Sequence, residues 1–350
     1  MNKGVNKIIL TLLVLVGIFI LGYFLRNLFW NKIVNQPQIK TVVLDLTSRI
    51  PFYSMTIPAL RSREYKSILG NLEKYSKDSN FTTYITSYDS DGLKINGLLT
   101  IPDGKEPEGG WPAVVFVHGY IAPTIYKTTE KYTDYVNYLS RNGFVVFKID
   151  LRGHGESEGE PAGGYYSEGY VIDALNAYNA LQNADFINSQ KIGLWGHSMA
   201  GNVVLRAFAA KPDIPAVVIW AGAGYTYSDL LEYGLNDNSY RPPTDNTERA
   251  RRRQALRDAH GDFSPSDEFW KLVAPTNYLN DLKGAIQIHH AINDDVVSIE
   301  YSRNLNSLLN NSNVAHELFE YSSGGHNISG TSFSTAMRRT VEFYKKYLTD

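Results

Sequence analysis

The stretch KIGLWGHSMAGNVVLRAFAA, residues 191–210, decides the reading. It opens on an apolar run, Lys191 to Trp195, of the length and composition of a buried strand, and closes on a helical run from Asn202. Between them lies Gly196-His197-Ser198-Met199-Ala200-Gly201. A strand that turns this sharply into a helix forces the central residue into strained backbone geometry, and only small residues two positions to either side avoid a clash. Gly196 and Ala200 meet that need, Ala200 replacing the second glycine of G-x-S-x-G. Ser198 is therefore a candidate nucleophile. The turn aims the Met199 backbone N–H and the following helix N-terminus at a developing oxyanion.

Outward from this turn the chain alternates short apolar runs with helical periodicity. Ala113 to Val117, Phe144 to Ile149, Ala216 to Trp220 and Ala285 to His289 read as further buried strands. Such alternation predicts an α/β fold, a mostly parallel sheet with helices on both faces. Thr82 to Tyr88 and Leu93 to Ile101, joined by Asp89-Ser90-Asp91-Gly92, predict an antiparallel hairpin ahead of it. Ser167 is an expected N-cap for a helix that buries Val171, Ala174, Leu175, Tyr178 and Leu181. Residues 222–282 break the alternation with tyrosines, arginines and prolines. An insertion after a strand's C-terminal end lies above the active face, so a lid is expected there. Arg249, Arg251, Arg252, Arg253 and Arg257 crowd one helix of it, either as a solvated face or to meet an anionic substrate group. Tyr225, Tyr227, Tyr233 and Tyr240 serve equally as pocket lining or lid core.

The N-terminus reads differently. Ile8 to Leu25 is uncharged and almost wholly apolar, with Lys3 and Lys7 before it and Arg26 and Lys32 after it. As a helix rising about 1.5 Å per residue, it reaches across most of a ~30 Å hydrocarbon core. The run is longer than a signal-peptide h-region and no A-x-A-like site follows, so residues 1–30 are expected to be one uncleaved transmembrane anchor. A short basic N-terminus before one span predicts a single-pass protein with its catalytic domain outside the cytoplasm. Residues 31–80 are expected to form a stalk or small cap, helical around Tyr65 to Lys74, and residues 81–350 the catalytic domain.

Composition narrows the chemistry. The 350 residues contain no cysteine, which excludes disulfides, thiolate metal sites and a cysteine nucleophile. With 43% apolar and 20% charged residues and a net charge of −2, nothing in the balance points to nucleic acid. No H-E-x-x-H or comparable spacing occurs, and neither a metal nor a cofactor is expected. A serine hydroxyl needs a base to take its proton and a carboxylate to orient that base. Asp294 and Asp295, in HHAINDDVV, and His326, in YSSGGHNIS, follow strands downstream of Ser198, with Gly324 and Gly325 free to aim the histidine. His118, His154, His197, His260, His289, His290 and His316 are read as structural or solvent-facing. His118-Gly119-Tyr120 closes the strand Ala113 to Val117, where a second oxyanion donor is needed, and the Tyr120 backbone N–H is assigned to it. Asp150 to Ser157, DLRGHGES, is read as scaffold at the rim.

Taken in order, HGY, DLRGHGES, GHSMAG, HHAINDDVV and GGH resemble the α/β-hydrolase superfamily from about Phe81 to Leu348. The chain is most similar to the prolyl oligopeptidase-type catalytic domain and its single-domain esterase relatives. The resemblance implies a Ser198–His326–Asp294 triad, since those loops match where that family carries its acid and base, and it favours Asp294 over Asp295. It implies a serine hydrolase acting on a small acyl or peptide substrate, and with the anchor expected from Ile8 to Leu25 that hydrolase is membrane-anchored. The residues ahead of Phe81 are too few for a β-propeller, each blade of which takes about 40–50 residues. Carboxylesterase, lipase-like or thioesterase activity therefore stands beside peptidase activity, and a catalytically silent, membrane-tethered binding protein is the reading from another class. The oligomeric state is left open.

Overall fold

A computed structural model describes residues 50–235 and 247–349. The chain divides into Met1–Tyr53 and Ser54–Asp350. The expected anchor, Ile8 to Leu25, and Tyr240 lie outside the described residues, as does part of the expected stalk. Among the described residues no helix is long and apolar enough to cross a membrane.

Within Ser54–Asp350 the order of elements is α1 (Ile57–Ser62), β1 (Glu73–Lys77), β2 (Phe81–Ser90), β3 (Leu93–Pro102), β4 (Trp111–Val117), α2 (Thr133–Arg141), β5 (Val145–Ile149), α3 (Gly169–Gln182), β6 (Ile187–His197), α4 (Ala200–Ala210) and β7 (Ala216–Trp220). There follow α5 (Tyr227–Glu232), α6 (Glu248–His260), α7 (Glu268–Val273), β8 (Ala285–Ala291), α8 (Glu300–Asn310), β9 (Ala315–Tyr321) and α9 (Thr331–Leu348). The strands form one sheet in the order β1-β2-β3-β5-β4-β6-β7-β8-β9. β1, β2, β3 and β5 pair antiparallel, and β5 through β9 pair parallel. The hairpin β2–β3 closes with Ser90 opposite Leu93, and Asp91 and Gly92 both take positive φ, as a type I′ turn demands.

The expected parallel strands all form, because each is apolar on both faces. In β4, Ala113, Val115 and Val117 enter one core with α3, α4 and α8; Val114 and Phe116 enter the other with α2 and α9. Chain direction across the sheet reverses at β4, with β5 on one side and β6 on the other. The crevice beyond the C-terminal ends of β4 and β6 is thus the topological switch point, where open α/β sheets bind ligands. Tyr120 and Ser198 follow those two strand ends.

Two local expectations need correction. Tyr65 to Lys74 is not helical: Leu69 bridges Tyr88, the Ser67 N–H donates to Asn179 Oδ1 at 2.8 Å, and Glu73–Lys77 adds an edge strand to β2. Gly70 lies against Ser87, where a Cβ would meet backbone 3.2 Å away, so this segment is held by the sheet edge. The helix of this region lies earlier, at Ile57–Ser62, capped by Thr56, whose hydroxyl accepts from the Ala59 N–H. Ser167 falls one residue short of the N-cap of α3: Glu168 occupies that position and the Ser167 hydroxyl accepts from the Gly169 N–H at 3.0 Å. Val171, Ala174, Leu175, Tyr178 and Leu181 are buried as expected.

Candidate active site

Ser198 sits between β6 and α4 with φ of 55°, in the left-handed region that a non-glycine residue occupies only under constraint. Its N–H donates to Trp220 O at 2.9 Å, and its carbonyl accepts from Gly201 N at 2.9 Å. A Cβ on Gly196 would lie 2.6 Å from Ala200 O, which is why the first small position must be glycine. Ala200 is fully buried as the first residue of α4, and its methyl is accommodated.

Asp294 and His326 come together from loops after β8 and β9. The His326 Nδ1–H donates to Asp294 Oδ2 at 2.8 Å. Asp294 Oδ1 accepts from the N–H groups of Val296 and Val297 at 2.9 and 3.0 Å. Its side chain is fully buried. Burial alone would raise its pKa, but the hydrogen bonds from His290 and His326, the charge of His326 and the Val297 N–H outweigh it and hold the carboxyl below the usual range. Asp295 lines the cavity instead and is exposed. Gly325 N donates to Asn293 Oδ1 at 3.0 Å, tying the two loops together. Gly324 has φ of 126°, and a Cβ there would lie 2.8 Å from Ile328 Cα.

Several neighbours escape sequence reasoning. His290 Nε2 lies 3.1 Å from Asp294 Oδ2 and 3.0 Å from Val297 O, both acceptors, so this nitrogen carries the proton; Nδ1 faces Ser302 Oγ at 2.7 Å. Its spacing of four residues before Asp294 is the only sequence signal of that role. A second chain of bonds joins three loops. The Gly119 N–H donates to Tyr132 Oη at 3.0 Å, Tyr132 Oη–H donates to His197 Nδ1 at 2.8 Å, and His197 Nε2–H donates to His326 O at 2.9 Å. This polarity requires a neutral His197, and burial, reinforced by the charge of His326, pushes its pKa down to about 3. Nothing in the sequence marks Tyr132.

Ser198 opens onto two cavities. The larger has a volume of about 810 Å³ and is lined by His326, Tyr132, Asp134, Asp295 and Phe333; the smaller has about 40 Å³ and is lined by Met199, Tyr165, Leu235, Val297 and Arg249. Tyr120 borders both. The five lid arginines separate on α6. Arg251 pairs with Glu248 and Arg257 with Asp262, both at the surface, and Arg252 pairs with Glu168. Arg253 lies over Tyr166 and Arg249 over Tyr120, each 5.6 Å from the ring centroid. Tyr225 and Tyr227 are buried and Tyr233 packs edge-on against Tyr301, so these three lid tyrosines belong to the core, while Tyr165 and Tyr166 wall the smaller cavity. Ser157 is occupied as scaffold, its hydroxyl accepting from Asn96 N at 2.9 Å.

The model for serine aminopeptidase, S33, matches residues 112–233, and the model for BAAT / acyl-CoA thioester hydrolase C terminal matches residues 175–349, half of the chain. The chain belongs to the latter family, within the α/β-hydrolase superfamily. This α/β-hydrolase is 31% identical over 134 residues to thiohydrolase aneE of Aspergillus aculeatus, a stretch covering 38% of the chain and 39% of that protein. It is 26% identical over 225 residues to 2,6-dihydropseudooxynicotine hydrolase of Paenarthrobacter nicotinovorans, covering 62% of the chain and 54% of that protein. The matches thus span only part of these relatives' lengths. Acetyl xylan esterase 1 from Thermoanaerobacterium superposes with a TM-score of 0.57 at 20% identity, covering 82% of this chain and 91% of that one. Pyrococcus horikoshii acylaminoacyl peptidase does so with a TM-score of 0.61 at 17% identity, covering 78% and 43%. These two share the fold. Both matched family models describe hydrolases.

Proposed function

We propose that this α/β-hydrolase cleaves an ester or thioester through an acyl-enzyme on Ser198. The observation that carries the reading is the strained Ser198 at the switch point, sharing a cavity with a His326 already held by Asp294. Ser198 Oγ attacks the carbonyl carbon while His326 Nε2 takes its proton. The N–H groups of Met199 and Tyr120 receive the oxyanion, and His326 returns the proton to the departing group. Water, deprotonated by the same histidine, then releases the acid. Asp294 keeps the Nδ1–H tautomer and stabilises the imidazolium.

The ester or thioester reading rests on the matched family. Peptide cleavage is the second reading, supported by the S33 aminopeptidase match over residues 112–233. A comparison of kcat/KM on short acyl esters, acyl thioesters and peptidyl amides, for wild type and Ser198→Ala, separates them. Turnover of amides above both other classes would displace the ester or thioester reading.

We further propose that Ile8 to Leu25 anchors the chain as a single membrane span with the catalytic domain outside the cytoplasm, on the strength of its apolar length and basic flanks. Protease added to intact cells should then degrade the domain; protection until lysis would contradict the orientation.

A further inference from the structure

Asp294 Oδ2 carries two histidines, and the triad accounts for only one of them. The His326 Nδ1–H donates to it at 2.8 Å and the His290 Nε2–H at 3.1 Å, while Oδ1 accepts from the Val296 and Val297 N–H groups. His290 is fully buried near the C-terminal end of β8. Its Nε2–H is shared with Val297 O at 3.0 Å, and its Nδ1 lies 2.7 Å from Ser302 Oγ in the first turn of α8. The ring is thus held at one edge by a helix and at the other by the Asp294 loop. An apolar side chain of similar size would fill this core position without needing partners. What it could not do is bond the carboxylate. Burial pushes the Asp294 carboxyl up, and the hydrogen bonds from His290 and His326 lead the effects that bring it below the usual range.

We propose that His290 is a positioning residue for the triad, holding the Asp294 carboxylate in the orientation His326 requires and sharing the charge on Oδ2. This rests on the Ser198–His326–Asp294 reading. Two consequences separate the role from packing. A carboxylate that accepts from four N–H groups cannot turn away from His326, so the histidine keeps its aim while it moves the serine proton. A carboxylate that shares its charge with a second N–H also stabilises the His326 imidazolium less, so His326 stays a free base to lower pH. Removing the His290 donor should therefore slow the reaction and move its acid limb to higher pH.

The other titratable groups near these rings belong to other elements. His326 is faced by His197 from the end of β6, with ring centroids 4.5 Å apart, and by Lys131, Asp134 and Asp295 around the larger cavity. Glu320, opposite His290 on β9, is engaged by Arg303 of α8. Among the described residues none of these hydrogen-bonds to the His290 side chain, so a substitution there leaves them in place.

The test reads the second-order rate of fluorophosphonate labelling of Ser198 against pH, which requires no natural substrate, for wild type, His290→Gln, His290→Leu and His289→Leu. Glutamine can place an amide N–H near the position of Nε2 and should keep the wild-type limb and most of the rate. His290→Leu should label about tenfold more slowly on the plateau, with the limb raised by about half a pH unit or more. His289→Leu removes the adjacent buried ring, whose bonds go to Tyr321, Gln287 and Thr340, and should change neither plateau nor limb. As a measure independent of any variant's folding, nitrogen NMR of the wild type should find His290 protonated at Nε2. A bare Nε2 on His290, a His290→Leu limb that stays with wild type, or an equal displacement in His289→Leu would overturn this inference, while labelling of Ser198 leaves the proposed hydrolase intact. No labelling of the wild type would overturn both.

Discussion

Tyr132→Phe isolates the bond chain that joins the loop after β4, the end of β6 and the His326 loop. The change removes one oxygen and leaves the ring, whose edge contacts with Phe116 and Trp195, at 5.5 and 6.1 Å between centroids, persist. It strips a partner from two groups at once: the buried Gly119 N–H and Nδ1 of His197, a residue only 2% exposed. An unpaired buried polar group costs about 1–3 kcal/mol. Both groups border the larger cavity, so water can recover part of that loss, and the net expectation is about 2–3 kcal/mol. Denaturant unfolding should read it as a lower midpoint at unchanged m. Because the same chain ends on the His326 carbonyl and begins beside Tyr120, kcat/KM should also fall about tenfold, a loss typical of slight misplacement of catalytic groups. His197→Ala should give a similar loss, and the double variant should cost much less than the sum. A Tyr132→Phe protein within about 0.5 kcal/mol of wild type, and within twofold in kcat/KM, would refute the reasoning.

Asp294→Asn should lower kcat by about 10³- to 10⁴-fold, because an amide no longer enforces the His326 tautomer, while Asp295→Asn should stay within a few fold; equal effects would contradict the distinction drawn from their contacts. Stability should fall in acid. Burial pushes the pKa of His118, His197 and His289 down to about 3, against about 6.5 when unfolded. The unfolded chain thus takes up protons first, and stability present above pH 6.5 drains away as pH falls toward 3. By pH 5 each site contributes a loss of about 2 kcal/mol. Unfolding midpoints that are flat between pH 7.5 and 5 would show that these rings are not held neutral.

The sheet was legible because its strands are short, apolar on both faces and separated by helical periodicity, and the hairpin because Asp91-Gly92 is a type I′ turn sequence. Ser198 was legible for a local reason: the glycine before it is imposed by a backbone atom 2.6 Å away, and that constraint is written within a few residues. His290 and Tyr132 act through hydrogen bonds whose partners the fold brings together. Asp294 and Asp295 are adjacent and chemically identical, so their difference in burial is a tertiary fact. Tyr65 to Lys74 misled because pairing at a sheet edge overrode its polar, helix-tolerant composition. The arginines of α6 share one helix, yet ion pairs and ring contacts divide them between surface, wall and cavity.

The central claim is that Ser198 is an activated nucleophile, and active-site labelling tests it most directly. A fluorophosphonate probe on the folded protein, followed by peptide mass spectrometry, should place the adduct on Ser198. Ser198→Ala should give none. An adduct on another residue, an adduct undiminished in Ser198→Ala, or no adduct on the folded wild type would contradict the account.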